Sequence, residues 1–135
     1  MKKILVALML VISSMSMMAQ SANVATEIEE EEIFMVVDKA PEYPGGMEAM
    51  MKFLSENTKY PVIAKEKGIE GRVICHFVVE KDGSISNVTV LRTSGDTSLD
   101  SEAVRVISTM PKWKPGILRE KAVRVKYAIP ISFYL

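Results

Sequence analysis

The last thirteen residues of this 135-residue chain alternate between two sets of side chains without a break. One set is apolar: Val123, Val125, Tyr127, Ile129, Ile131, Phe133 and Leu135. The other set is Arg124, Lys126, Ala128, Pro130, Ser132 and Tyr134. A two-residue period of this length predicts one long β-strand with one buried face. Because Pro130 has no N–H to donate to a neighbouring strand, it favours a position at the edge of a sheet.

Two helices are predicted in the first half of the chain. The first begins after Gly46 and ends near Asn57, and Gly68 stops a second, short helix that Pro61 opens. One face of the first helix carries Met47, Met50, Met51 and Leu54. A methionine stripe can be an adaptable binding surface, but packed core is the commoner reason for this spacing. We therefore expect this face to be core.

A β-hairpin and a third helix are predicted next. The alternation from Gly71 to Glu80 indicates a strand, and Asp82-Gly83 provides the positive φ of a tight turn before a return strand from Ile85 to Arg92. Thr97 and Asp100 match the T-x-x-D capping pair of a helix start. The order α, α, β, β, α, β predicts an α+β domain, with helices packed on one face of a three-stranded antiparallel sheet.

The N-terminus has the features of a targeting segment. Lys2 and Lys3 precede an apolar run from Ile4 to Ile12, and small residues follow up to Ala19. This order is typical of a secretory signal peptide over residues 1–20, which would place the chain in the periplasm. The alternative is an uncleaved anchor in the inner membrane, although a spanning helix needs roughly 20 apolar residues.

The folded domain is expected at residues 33–135. Residues 21–32 are polar and end in the run Glu29 to Glu32, and such dense like charge favours an acidic disordered lead.

Composition excludes several classes of function. The 17 basic and 17 acidic side chains balance, whereas a nucleic-acid binder normally shows a basic excess. With one Cys and one His, the chain has neither a cysteine-based zinc site nor a His-pair metal site. An enzyme would have to use Cys75 or His76, but neighbours on a strand point to opposite faces and cannot act as a nucleophile–base pair. We expect no enzyme activity and no cofactor.

An ordered set of residues resembles the TonB C-terminal domain in the form common in the Bacteroidetes. The set comprises Pro41, Tyr43-Pro44-Gly45-Gly46, Tyr60-Pro61, Ala64, Gly68-Ile69, Gly71-Arg72-Val73, Phe77, Val79, Asp82-Gly83, Val88, Val90, Ser94-Gly95, Leu99-Asp100, Ala103, Trp113, Pro115-Gly116 and Ile129 to Phe133. The resemblance covers roughly residues 33–135, and it implies helices on a three-stranded antiparallel sheet.

The resemblance also implies a binding function. TonB proteins carry energy from an inner-membrane motor complex to outer-membrane receptors, and the last strand of the C-terminal domain accepts the receptor's energy-coupling segment as an added strand. The implied partner-binding residues are Val123, Arg124, Val125, Lys126, Tyr127, Ala128, Ile129, Ile131 and Phe133, together with Asn57, Lys59 and Tyr60.

The short N-terminal segment leaves an alternative open. A full transducer has a retained membrane helix and a long proline-rich linker, whereas this chain has a signal-like segment and a short lead. The alternative is a soluble periplasmic interaction module of the same fold that binds another partner, or a second copy of itself, without transducing energy. Contact with the inner-membrane motor proteins is expected only if the N-terminus is retained.

Overall fold

The computed structural model describes residues 32–135. The leader expected at residues 1–20, and all but the last residue of the acidic lead expected at 21–32, lie outside the described residues. Within the described part, no helix has the length and apolar character needed to cross a membrane.

Eight elements follow one another along the described residues. They are β1 (Ile33–Phe34), α1 (Gly46–Asn57), α2 (Val62–Glu66), β2 (Gly71–Val79), β3 (Ile85–Arg92), α3 (Thr97–Ser108), β4 (Gly116–Leu118) and β5 (Lys121–Phe133). The predicted α+β class is confirmed, as is the order of its three helices and three long strands. The sheet has five strands where three were predicted, because β1 and β4 are only two and three residues long.

The sheet is built around β5. Its strand order is β1-β5-β2-β3, and β4 also pairs with β5. β2 and β5 are antiparallel in unbroken register from Gly71 opposite Phe133 to Val79 opposite Val125. β1 runs parallel to β5, whereas β3 and β4 are antiparallel to their partners. β5 is therefore paired with β2 from Val125 to Phe133, and the short strands β4 and β1 pair with its residues up to Val125.

The core lies between the helices and one face of the sheet. β2 contributes Val73, Cys75, Phe77 and Val79, which are all almost fully buried. Cys75 is thus a small core residue, and burial raises the pKa of its thiol to about 11. A thiol in this state is a poor nucleophile at neutral pH.

The methionine stripe on α1 is only partly core. Met50 and Leu54 are buried, as predicted. The prediction is wrong for Met47 and Met51, whose exposed fractions are 60% and 58%. Helical spacing indicates which side chains point in the same direction, but it does not show how far the core extends beneath them. Here the core includes Met50 and Leu54 but not Met47 and Met51.

The start of α3 also differs from the prediction. Asp96, and not Thr97, is the N-cap, and its carboxylate accepts a hydrogen bond from the Leu99 N–H at 3.1 Å. Asp100 instead accepts from the Ser94 N–H at 2.9 Å and from the Ser94 hydroxyl at 2.7 Å. An aspartate directly before the helix reaches the third N–H readily, so it displaces the threonine from that role.

The hairpin turn between β2 and β3 packs directly on the loop that follows α3. Gly83 has a φ of +88°, and its carbonyl accepts a hydrogen bond from the Trp113 N–H at 2.8 Å. A Cβ atom at position 83 would lie 2.0 Å from the Trp113 carbonyl oxygen. This position therefore requires glycine for both its backbone angle and its space. The contact fixes Trp113 over the end of the sheet.

Candidate functional site

The outer side of β5 is covered only at its start. On this side β1 pairs with Arg124 and Val125, while β4 pairs with the residues before them, Lys121–Val123. From Lys126 to Phe133, no strand in the described part of the chain pairs with this side. We call Lys126–Phe133 the open edge. It is shorter than the edge predicted from the sequence, because Val123, Arg124 and Val125 already have a strand beside them.

The position of Pro130 indicates which backbone groups face outward. Pro130 lies opposite Ile74 of β2, and a proline in a paired strand directs its nitrogen away from its partner. Hydrogen-bonding directions alternate along an antiparallel strand. The N–H and C=O groups of Lys126, Ala128 and Ser132 therefore also point away from β2. A strand added here would meet a donor at each of these three residues, but Pro130 would offer only its carbonyl.

A groove of about 630 Å³ runs along the open edge against α1. We call it the edge groove. One wall is formed by Met47, Met50, Met51, Leu54 and Ser55 of α1, and the other by residues 127–134. The lining residues in the described part of the chain include no carboxylate, ammonium or guanidinium group. The groove therefore suits an uncharged, largely apolar occupant.

Aromatic contacts establish how α1 lies along β5. Before α1, Tyr43 packs against Trp113 with ring centroids 5.7 Å apart, and Trp113 packs against Tyr127 at 5.1 Å. After α1, Tyr60 packs edge-on against Phe133 at 5.6 Å. The helix and the strand therefore run in the same direction. The edge groove has one end near Tyr127 and Met47, and its other end near Phe133 and Thr58.

The segment between α1 and α2 is held by α3. The Asn57 carbonyl accepts a hydrogen bond from Arg105 Nη2 at 2.9 Å, and the Lys59 N–H donates to Glu102 Oε2 at 2.6 Å. The Glu102 carboxylate also accepts from Arg105 Nε at 2.6 Å, and these bonds hold the pKa of Glu102 below its ordinary value. The backbone on both sides of Thr58 is thus fixed by one charged pair.

Of the three binding residues predicted in this segment, Asn57, Lys59 and Tyr60, only Tyr60 lines the edge groove. Its hydroxyl donates to the Ile69 carbonyl. Thr58, which was not predicted, also lines the groove. Thr58 Oγ1 is buried and has no hydrogen-bond partner among the described residues. The sequence carried no signal for this residue, because its unpaired state depends on how α3 holds the backbone around it.

Arg124 contributes to the sheet on the side of β2. Its Nε donates to Glu80 Oε1 at 2.7 Å, and its Nη2 donates to Glu80 Oε2 at 3.1 Å. These charge-assisted bonds hold the pKa of the Glu80 carboxyl below its ordinary value. Arg124 therefore links β5 to Glu80, the residue directly after β2, just before the open edge begins.

Cys75 and His76, the two candidate reactive residues, lie in different surroundings. His76 is half-buried and lies opposite Ala128 of β5, while the adjacent Cys75 is in the core. Residues 32–135 contain no group of three or more His, Cys, Asp or Glu side chains placed to hold a metal ion. The absence of enzyme activity and of a cofactor stays a prediction.

Comparison with known proteins returned one family and several relatives. The family model described as Gram-negative bacterial TonB protein C-terminal matches residues 56–135. Protein TonB of Helicobacter pylori is 31% identical over 82 residues, which are 61% of this chain and 27% of that protein. Protein TonB of Vibrio cholerae is 35% identical over 77 residues, which are 57% of this chain and 31% of that protein. This chain therefore spans less than a third of the length of these curated relatives.

A solved structure is similar over a larger share of its length. The NMR solution structure of the Helicobacter pylori TonB C-terminal domain, residues 179–285 of that protein, has a TM-score of 0.51 and 28% sequence identity. The match covers 64% of this chain and 77% of that chain. The fold and the sequence therefore point to the same family.

Proposed function

This chain belongs to the TonB C-terminal family, since the family model matches more than half of its residues, and from that premise we propose that it binds the energy-coupling segment of outer-membrane receptors. Binding is by strand addition at the open edge of β5, and it supports energy-dependent transport across the outer membrane from a location in the periplasm. The domain acts as a binding module and not as an enzyme. The observation that carries the proposal is an unpaired run of β5 bordered by an uncharged groove.

The open edge has the length and the groups that strand addition requires. Eight residues of strand extend over roughly 26 Å. The backbone groups at Lys126, Ala128 and Ser132 would bond to the added strand, while side chains at every second position would enter the groove. Backbone bonds provide affinity for any extended segment, and the groove provides selectivity.

β3 also has an outer side without a strand beside it in residues 32–135, but it is a poorer template. Its pairing with β2 has two register irregularities, and Asn87 has a φ of +51°. Bulges and left-handed residues twist an edge away from regular pairing. β5 has unbroken register with β2 along the open edge.

An amide titration tests the proposal. Unlabelled peptides that carry receptor coupling segments are added to the ¹⁵N-labelled chain, and the amide signals of Lys126–Phe133 are expected to shift most. The control is the same peptide with N-methyl groups on alternate residues, which blocks the donors of one edge of the peptide. Shifts confined to β3, or unchanged spectra at millimolar peptide, would contradict strand addition at β5.

Sedimentation velocity, measured with and without the same peptide, tests the alternative of self-association. If the open edge pairs with a second copy, the sedimentation coefficient of the free chain rises with concentration, and the peptide lowers it. A monomer that binds the peptide supports the receptor-binding function.

A further inference from the structure

Resting on the strand addition proposed above, we infer that Met47 and Met51 form a subsite that selects one apolar side chain of the added segment. The subsite lies in the half of the edge groove nearer Tyr127. It accepts aliphatic, thioether and aromatic side chains with similar affinity, and it disfavours polar and charged ones. The two methionines are therefore specificity-determining residues of the binding module.

Met47 and Met51 are both accessible from the edge groove. Their exposed fractions are 60% and 58%, and both line the groove. They lie one helical turn apart on α1, so their side chains adjoin on one face of the helix. Met50 and Leu54 of the same helix are buried in the core, which fixes how α1 is oriented. The methionine pair is thus a continuous apolar surface that residues 32–135 leave more than half uncovered.

An added strand reaches this surface because the groove joins it to the open edge. A single groove is lined by both methionines and by β5 from Tyr127 onwards, so a segment bonded to that edge lies beside them. The side chain of Ile129 is buried on the α1 side of the sheet. A strand added to β5 continues the same alternation, and every second one of its side chains points to that side.

Aromatic contacts give the position of the subsite along the groove. Tyr43 precedes α1 and is linked through Trp113 to Tyr127, so the start of α1 lies near Tyr127. Met47 and Met51 are in the first two turns of α1, and the subsite therefore adjoins the part of the open edge nearest to β1. The two residues are about 6 Å apart along the helix axis. Side chains on one face of a strand are about 6.7 Å apart, so one of them contacts both methionines.

Polarity, and not shape, determines which side chain this subsite accepts. Methionine is unbranched, flexible and polarizable, so it packs against apolar groups of different shapes. The described residues that line the groove carry no ionised group, and a charged side chain would lose water there without meeting a counter-charge. A hydroxyl or carboxamide would meet thioethers, which accept hydrogen bonds only weakly. An apolar side chain instead removes its own surface and that of the methionines from water.

The test uses the full chain and a series of ten-residue peptides with blocked ends. The host peptide is threonine throughout, since threonine favours an extended strand. One central position is replaced by valine, leucine, methionine, phenylalanine, lysine or glutamate. Titration calorimetry is expected to show that the four apolar peptides bind within about threefold of one another, and about threefold to tenfold more tightly than the host. The lysine and glutamate peptides are expected to bind no better than the host.

Protein variants assign this preference to the methionine pair. In the double variant Met47→Ala, Met51→Ala, the apolar peptides are expected to lose their advantage over the host. Combining this change with the peptide substitution in a double-mutant cycle isolates the contact between them. The conservative variant Met47→Leu, Met51→Leu is expected to retain the advantage. The matched control is Met35→Ala, because Met35 is 72% exposed and does not line the groove. Urea unfolding verifies that each variant is folded.

Methionine methyl signals report the contact directly. The chain is labelled with ¹³C at the methionine ε-methyl groups, and single alanine variants assign the signals of Met47, Met51 and Met35. The phenylalanine peptide is expected to shift the Met47 and Met51 signals through the ring current of its side chain. The signal of Met35 is the internal control and is expected to stay in place.

The outcomes separate this inference from the proposed function. If the peptides shift the amides of Lys126–Phe133 but not the Met47 and Met51 methyl groups, the subsite is wrong and strand addition stands. The same conclusion follows if the double alanine variant keeps the apolar preference. If no peptide shifts those amides, both are wrong. A preference for apolar peptides that the alanine variant loses and the leucine variant keeps supports the inference.

Discussion

Replacing Pro130 by alanine tests whether the outward backbone groups of β5 bind the added strand. Pro130 is the position of the open edge that has a carbonyl but no N–H. In Pro130→Ala the new N–H points away from β2 and towards the incoming segment. One net hydrogen bond contributes about 0.5 to 1.5 kcal/mol, so a bound peptide is expected to gain about twofold to tenfold in affinity. The lost ring lies on the face of the sheet opposite α1, so the contacts with the methionines are retained.

The same substitution should slightly lower the free energy of unfolding. Removing a proline frees the unfolded chain, which costs about 0.4 to 1 kcal/mol of stability. The β2–β5 ladder makes no compensating gain, because the new N–H does not face β2. Affinity and stability are therefore expected to change in opposite directions.

Calorimetric titration and urea unfolding measure the two effects. Pro111→Ala is the control, since Pro111 is an exposed loop residue outside the edge groove and should lose stability without changing affinity. The reciprocal variant Ala128→Pro removes an outward donor and should weaken binding by a similar factor. A gain in stability for Pro130→Ala would show that its nitrogen faces β2. Unchanged affinity would refute the assignment of outward groups.

Two further predictions concern the supports of the site. Glu102→Gln should lower stability at pH 7, because Arg105 holds the Glu102 pKa below its unfolded value. Because the folded pKa lies below the unfolded value of about 4.3, the ionised carboxylate stabilises the fold above that pH. This stabilisation is lost as the pH falls through the folded pKa. Urea unfolding should therefore show a difference from the parent at pH 7 that shrinks as the pH falls below about 4.3, and a constant difference would contradict it. Gly83→Ala should lower stability by more than Gly95→Ala, for which about 1 kcal/mol of backbone strain is expected. Both have positive φ, but only at Gly83 does the new methyl meet Trp113. Equal melting temperatures for the two variants would contradict this reasoning.

Local patterns in the sequence were sufficient for the main elements of the fold. The alternation through Ile129 and Ile131 and the spacing of Leu99 and Ala103 each reflect burial on one face, which a periodic pattern records directly. β4 was missed because three residues contain no measurable period, and β1 was left out of the predicted element order although residues 33–37 are a short β-prone run. They exist as strands only because β5 lies beside them.

Less of the candidate site than of the fold could be predicted from the sequence. The pattern identified β5 and its edge character through Pro130, but it could not show that β1 covers Arg124 and Val125. The exposure of Met51 and the unpaired hydroxyl of Thr58 depend on where α1 ends above the sheet and on contacts from α3. These features depend on tertiary contacts, and the spacing of residues along the chain does not predict them.

The two-residue strand β1 has a consequence for how an added segment is aligned. β1 occupies the outer side of β5 up to Val125, so a segment beside the open edge meets Phe34 and can slide no further in that direction. A slip of one residue would turn every side chain of the segment to the opposite face. For a segment bound as proposed, β1 would therefore be an end stop that limits its register by steric exclusion, and it would limit the length that fits before any side chain is recognised.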